Sequence, residues 1–474
     1  MRRLLVFAVL VYSVILFRAY HQAITIDEAD SYNNFVAPAE NHFTPSSANH
    51  VLHSILAHYI TRALGLSQFT VRLTSMLGAA IYLLAAISIA LRIAPQRRLL
   101  AFAILTLNPF VLDYLIAARG YSLALGFLAA IVALAMTILD VPPRELRVAL
   151  LTGAQMSVCA ALALIANFSF AFALACTVGS FLLIGFFRFA WKHWLALAAA
   201  TTLPGVAIAY AVVGDTLRNY PRKELYFGAE SWPQMWMEML DAVFPDRNLS
   251  FPLLHATDRL LAAARHASPY LILILLAIGL WSVFANKSWS MRFLWLALAG
   301  TLAAHGLAHS FQGLLLPMDR TSLFIVFFLT IGATYGAAAA PYRLARTAAT
   351  TVLCATLAVF VLSFRTNYFR IWDFDMDTNR GFQALAEYAK DHPVKSAGCT
   401  WHYTGAYNFY RAARHANLPE CEFIDPANPP PRDAYVVNNP SPEEFLAKTN
   451  IRIIYRGAVS GLVVGIAPPA WQTK

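Results

Sequence analysis

The sequence predicts an all-α polytopic membrane protein with about eleven transmembrane helices and a small α/β extracytoplasmic C-terminal domain. Three observations predict this fold class. Of the 474 residues, 58% are apolar and only 13% are charged, which is too little charge to cover a soluble protein of this length. Long apolar runs alternate with short basic loops through most of the chain. The polar tail after Phe364 contains no further run of spanning length.

The apolar runs give the number of spans. Each is about 20 residues long, the length of helix that crosses the hydrocarbon core of a bilayer. The spans are expected to start near Leu4, Thr70, Leu99, Tyr121, Val148, Ser169, Leu195, Pro269, Arg292, Thr321 and Thr347. No small-residue cleavage site follows the first run, so we interpret that run as a retained span and not as a signal peptide.

Lysine and arginine indicate the orientation. With a cytoplasmic N-terminus, the inside loops are MRR, RIAPQRR, DVPPRELR, RFAWKHW, ANKSWSMR and PYRLAR, and each carries Lys or Arg. This is the positive-inside pattern of membrane proteins. The excess of 36 basic over 26 acidic residues therefore records topology, and we expect no nucleic-acid partner. We expect the protein to lie in a bacterial inner membrane.

Two domains are expected. Residues 1–365 form the multi-span membrane domain, whose first external loop is 21–69, and residues 366–474 form the soluble domain. The tail mixes one helical run, GFQALAEYAK, with the strand-like runs AYVVNN, IRIIYR and LVVGIA. An odd number of spans places it outside the cytoplasm, where Cys399 and Cys421 could pair, although spacing alone leaves the pairing open.

The segment ITIDEADSYNNF places Asp27, Glu28 and Asp30 at the outer end of the first span. A solvated loop would explain three such acids equally well. However, other external turns bring cations to the same leaflet, namely Arg72, Arg119, Arg218, Arg222, Lys223 and Arg320. We expect acids and arginines to meet in one hollow that holds an anion beside a general base. The alternative for Arg119 and Arg320 is that they reach towards lipid headgroups.

These groups suit glycosyl transfer from a polyprenyl-phosphate sugar to a lipid, glycan or protein hydroxyl. The phosphate leaving group is stable as an anion, so cationic side chains can replace a general acid. The acceptor hydroxyl must lose its proton as it attacks, and one carboxylate within hydrogen-bond reach can accept that proton. The two-carboxylate arrangement of glycoside hydrolases is not required.

The order of these motifs resembles the GT-C membrane glycosyltransferases, in particular the protein O-mannosyltransferase and lipid A aminoarabinose transferase group. The resemblance rests on the external acidic pair, QFTVRLTSMLG at the second span and LNPFVLDYLIAARGYSLALG before the fourth. It implies catalytic roles for Asp27 as base, Glu28 as its neighbour and Asp113 as a second acid, and donor-phosphate contacts from Arg119, Tyr121, Arg320 and Arg72. The residues alone also allow Asp113 to be a helix-boundary residue near the break at Asn108–Pro109.

Other readings of the sequence remain open. A transporter or lipid flippase would place ionisable groups inside the spans of matched, inverted halves. An assembly subunit would use the C-terminal domain for binding. Four histidines, at positions 42, 50, 53 and 58, could hold a divalent metal, or could pack against headgroups at the outer interface. The chain has no glycine-rich nucleotide loop, which counts against an ATP-driven pump.

Overall fold

The computed structural model describes residues 1–93, 95–141, 145–250, 255–285, 288–438, 445 and 449–468. Three predicted cytoplasmic loops include positions outside this set, at 94, 142–144 and 286–287, as does the predicted strand AYVVNN at its last residue. The chain divides into two compact units. The first contains residues 1–16, 43–53 and 74–364, and the second contains residues 17–42, 54–73 and 365–474.

Helices make up most of the chain. They are α1 (Arg2–His21), α2 (Ile26–Ser31), α3 (Val51–Leu64), α4 (Gln68–Ala90), α5 (Arg98–Thr106), α6 (Pro109–Ile116), α7 (Tyr121–Asp140), α8 (Leu146–Ala166), α9 (Ala171–Arg188), α10 (Trp191–Arg218), α11 (Trp232–Val243), α12 (His255–Ala285), α13 (Trp289–Gln312), α14 (Leu323–Ala339), α15 (Arg343–Leu362), α16 (Thr378–Asp391) and α17 (Trp401–Ala413). The short helices α2, α3 and α11 lie between helices of spanning length.

The predicted membrane architecture is confirmed. Within the described residues, ten helices are long and apolar enough to cross a membrane. The pair α5 and α6 makes an eleventh span if it is counted as one, with a bend of 58° between the two helices. The bend falls where Asn108 caps α6 through its side chain and Pro109 takes the first helical position, because proline cannot continue the preceding helix. The chain is therefore an integral membrane protein.

Small residues bring α4 and α7 into close contact in the first unit. A Cβ added to Gly78 would lie 2.4 Å from the backbone carbon of Ser122, and one added to Gly126 would lie 2.5 Å from the carbonyl oxygen of Gly78. The Ser122 hydroxyl donates a hydrogen bond of 2.7 Å to the carbonyl of Ser75. This close packing is typical of helices in membranes, and it holds the turn that precedes α7 against α4.

The second unit contains a five-stranded mixed sheet. Its strands are β1 (Ala397–Cys399), β2 (Cys421–Phe423), β3 (Ala434–Asn438), β4 (Arg452–Arg456) and β5 (Leu462–Ile466), in the order β2-β1-β3-β5-β4. β1 pairs in parallel with β2 and β3, and β5 pairs antiparallel with β3 and β4. The predicted small α/β domain is thus present in the tail.

The disulfide left open by the sequence forms between Cys399 and Cys421, whose Cα atoms are 5.8 Å apart. It joins the end of β1 to the start of β2, and α17 is the crossover between these two parallel strands. One apolar cluster of this unit includes Tyr435, Val437 and Val463 from the central strands of the sheet. A disulfide is expected of a domain in an oxidising compartment.

Candidate active site

The acidic segment of the second unit forms the short helix α2. Thr25 is its N-cap, and the Thr25 hydroxyl accepts the backbone N–H of Glu28 at 3.2 Å, while the Glu28 carboxylate accepts the N–H of Thr25 at 2.9 Å. This reciprocal capping box fixes the first turn. Asp27 lies in that turn and is only partly buried.

Glu28 and Arg72 form a fully buried bidentate ion pair. Arg72 Nε lies 2.8 Å from Glu28 Oε1 and its Nη2 lies 2.6 Å from Oε2, with both side chains 0% exposed. The other N–H groups of Arg72 donate to the backbone carbonyls of Ala19, Gln22 and Ala23 at 2.7–3.0 Å. All five guanidinium donors are therefore in use, and Arg72 closes the C-terminal end of α1. A phosphate oxygen could reach Arg72 only by breaking these bonds.

A fourth carboxyl group, which sequence reasoning missed, lies beside the acidic helix. Asp375 is buried, and its Oδ2 accepts the backbone N–H of Ile26 at 2.8 Å. Burial raises the pKa of Asp375 well above its ordinary value, and the charges of Asp27, Glu28 and Asp30 raise it further. Asp375 therefore favours its protonated form.

The arginine turn of the first unit comprises residues 117–120, between α6 and α7. The Ser75 hydroxyl donates to the Ala117 carbonyl at 2.6 Å. Gly120 is required at its position, because an added Cβ would lie 1.8 Å from the carbonyl oxygen of Ala166 and 2.9 Å from the Cβ of His50. Arg119 is buried, and its guanidinium carbon lies 5.9 Å from the centre of the Tyr121 ring.

Two histidines lie in the same part of the first unit. His50 and His53 are both buried, with exposed fractions of 4% and 1%. Burial and the charge of Arg119 lower the pKa of His53 to about 3, and burial, Arg119, His53 and Arg320 together lower the pKa of His50 well below its ordinary value. Both imidazoles are therefore neutral. The interpretation that these two histidines pack against headgroups is wrong, because they are inside the protein.

The remaining predicted residues also belong to the first unit. Arg320 is half-buried in the turn Asp319–Ser322 before α14, with its guanidinium carbon 4.3 Å from the centre of the Phe227 ring. Asp113 is buried inside α6 and is not a helix-boundary residue, although its backbone carbonyl accepts the N–H of Ala117 at 3.0 Å.

Two groups of candidate site residues therefore emerge, one in each unit, and each combines predicted residues with ones that the structure adds. We call His50, His53, Arg119, Tyr121 and Arg320 the cationic cluster. We call Asp27, Glu28, Asp30 and Asp375 the acidic cluster. Among the residues that the structure describes, no group of three or more His, Cys, Asp or Glu side chains is arranged to hold a metal ion.

Comparison with solved structures identifies the fold. The crystal structure of ArnT from Cupriavidus metallidurans bound to undecaprenyl phosphate matches 98% of this chain and 98% of its own, at a TM-score of 0.53 and 12% identity. The apo structure of the same protein matches equally well, at a TM-score of 0.53. The chain has the GT-C fold.

A second match supports the GT-C fold. The arabinofuranosyltransferase AftD from Mycobacteria matches 98% of this chain and 41% of its own, at a TM-score of 0.51 and 13% identity. No protein-family model and no curated protein matches the sequence. The resemblance that the sequence motifs indicated is confirmed at the level of the fold.

Sequence reasoning missed Asp375 and did not assign the two histidines to the cationic cluster. The run DFDMD at 373–377, where the tail begins, was a visible signal for Asp375, because three aspartates at alternate positions are unusual next to an apolar segment. Nothing in the sequence connects that run to Ile26, which lies 349 positions away. For the histidines, the signal was their density between positions 42 and 58.

Proposed function

We propose that the protein is a membrane glycosyltransferase that moves a sugar from a polyprenyl-phosphate donor to a hydroxyl group of a lipid, glycan or protein at the extracytoplasmic face. The observation that carries this proposal is the cationic cluster, in which two arginines are held beside two neutral histidines. The shared fold with ArnT, whose structure contains undecaprenyl phosphate, and with an arabinofuranosyltransferase supports a lipid-phosphate donor.

The cationic cluster suits a phosphate leaving group. As the bond between the sugar carbon and the phosphate oxygen breaks, negative charge develops on the phosphate, and fixed cations stabilise it most strongly where water is excluded. Arg119 is buried and packs against Tyr121, so its orientation is set before the substrate binds. We assign the phosphate contacts to Arg119 and Arg320, with Tyr121 in support. Arg72 is assigned a positioning role, because its donors are all in use.

The acidic cluster suits a single general base. Glu28 is committed to its ion pair, and Asp375 favours its protonated form. Asp27 is only partly buried and lies in the fixed first turn of α2. We therefore assign the base to Asp27, which would accept the proton of the acceptor hydroxyl as the acceptor oxygen bonds to the sugar carbon, with inversion, and the polyprenyl phosphate leaves. Asp113 remains a candidate for a second acid.

The test is transfer of labelled sugar from added polyprenyl-phosphate sugars in membranes that contain the protein. Asp27→Asn is expected to lower the rate by about 100-fold or more, since the base is removed while its shape is kept. Asp215→Asn is the matched control, because that side chain is 92% exposed. Near-normal transfer by the Asp27 variant would remove Asp27 from the mechanism.

Arg119→Gln tests the phosphate contact in the same assay. It is expected to slow transfer, and Arg218→Gln, at a side chain that is 61% exposed, is expected to leave the rate unchanged. The assay also separates the proposal from a flippase, which would redistribute polyprenyl phosphate across the bilayer without forming a glycosidic product. Absence of any product with all polyprenyl-phosphate sugars supplied would overturn the proposed function.

A further inference from the structure

The two ring nitrogens of His50 differ in their hydrogen bonding. Its ring makes a hydrogen bond to the backbone carbonyl of Ala166. Among the described residues, Nε2 is buried and has no hydrogen-bond partner. A carbonyl can only accept, so the bond must come from Nδ1–H, and the neutral ring carries a lone pair on Nε2. A buried nitrogen without a partner is unfavourable unless a ligand supplies one.

The groups around His50 are cations and aromatic rings. Arg119 and Arg320 act on it through their charges, and His53 lies three residues further along the chain, in the first turn of α3. The Tyr121 ring lies 5.2 Å from the His50 ring, centre to centre. Close packing against Gly120 holds the side chain in place. A proton on Nε2 would place a third positive charge beside two arginines, and their repulsion disfavours protonation. A bound anion would attract that charge and would favour protonation instead.

We propose that His50 binds the phosphate group of the lipid donor through Nε2, and that it takes up one proton from solvent when the anion binds. This inference rests on the proposed function, and it identifies a ligand of the same phosphate. The protonated Nε2–H would donate to a phosphate oxygen as a charge-assisted hydrogen bond. Because the donor is a phosphodiester and the product is a phosphomonoester that can carry one more negative charge, the imidazolium favours the leaving group more than the substrate.

The experiment measures the number of protons taken up on binding. Undecaprenyl phosphate is titrated by calorimetry into the full-length protein in nanodiscs, in two buffers of different ionisation enthalpy. His50→Asn is the test variant, since the asparagine amide can keep the bond to Ala166 and cannot take up a proton. His193→Asn, at an exposed histidine, is the matched control. Inorganic phosphate is the second probe, and it should bind far more weakly if the lipid phosphate is the ligand.

The expected result is that wild type and the His193 variant take up more protons than the His50 variant. Affinity should also fall more steeply with rising pH in wild type than in the His50 variant, by up to about tenfold per pH unit. Equal proton uptake in the His50 variant overturns the inference, and equal affinity for inorganic phosphate overturns the lipid as the ligand. His50→Gln provides a second variant if His50→Asn does not fold.

These outcomes are separate from those of the proposed function. If wild type binds undecaprenyl phosphate and transfers sugar but proton uptake does not depend on His50, only the role of His50 is lost. If wild type neither binds the lipid nor transfers sugar, the proposed function is lost with it.

Discussion

Replacing Glu28 with Gln is expected to destabilise the second unit strongly. The pair that Glu28 makes with Arg72 is fully buried, and the substitution leaves the arginine charge inside the protein without its counter-ion. Removing one partner of a buried ion pair costs about 3–5 kcal/mol. An amide also has one acceptor oxygen where the carboxylate had two, and the carboxylate serves both Arg72 and the N–H of Thr25.

The magnitude should be visible in thermal unfolding of the purified protein in detergent. A domain of this size loses about 2–4 °C of Tm per kcal/mol, so Glu28→Gln should lower the Tm on the order of 10 °C. Arg72→Met should be worse, because it also leaves the carbonyls of Ala19, Gln22 and Ala23 without their donors.

Two controls make the reasoning refutable. Glu40→Gln, at an exposed glutamate in the same unit, should leave the Tm unchanged. Asp27→Asn should also leave the Tm nearly unchanged while lowering the transfer rate by about 100-fold or more, which separates the two neighbouring acids by role. A Tm for Glu28→Gln within about 2 °C of wild type would show that the buried ion pair contributes little to stability. That result would refute the structural role assigned to Glu28.

Two further predictions concern the second unit. Gly465→Ala should lower the Tm, because its Cβ would lie 2.2 Å from Cδ1 and 3.2 Å from Cβ of the buried Ile451, whereas Gly179→Ala in the first unit meets nothing within 4 Å and should be neutral or stabilising. Asp375→Asn should raise the Tm relative to wild type at neutral pH, since the folded protein holds the Asp375 pKa above its unfolded value and wild type must retain a proton there to fold. The difference in Tm between Asp375→Asn and wild type should vanish as the pH falls towards the ordinary Asp pKa. A Tm difference that does not change with pH would contradict this prediction.

The transmembrane spans, and one helix and three strands of the C-terminal tail, could be predicted because they follow from local composition and residue patterns. The predicted start at Tyr121 is the first residue of α7, and the run GFQALAEYAK lies within α16. The three predicted strands AYVVNN, IRIIYR and LVVGIA correspond to β3, β4 and β5. The strands β1 and β2 were missed, because each has only three residues and is held in the sheet by its neighbours, not by a pattern of its own.

The environment of each charge could not be predicted, because it depends on partners far away in the chain. Arg72 and Arg320 each lie near the start of a predicted span. From the sequence, a phosphate contact is equally compatible with either arginine. Only the fold shows that Arg72 meets Glu28, which lies 44 positions earlier, while Arg320 packs against Phe227. The same holds for His50, whose carbonyl partner at Ala166 is supplied by the end of α8.

The acidic cluster shows how neighbouring carboxyl groups acquire different chemistry. Asp27 and Glu28 are adjacent, yet one is partly exposed and the other is locked against a guanidinium. Asp375 enters from the C-terminal segment and is held where burial favours its neutral form. A transferase with a phosphate leaving group needs one base. We assign that role to Asp27, which is partly exposed, whereas Glu28 is held in its buried ion pair and Asp375 favours its protonated form.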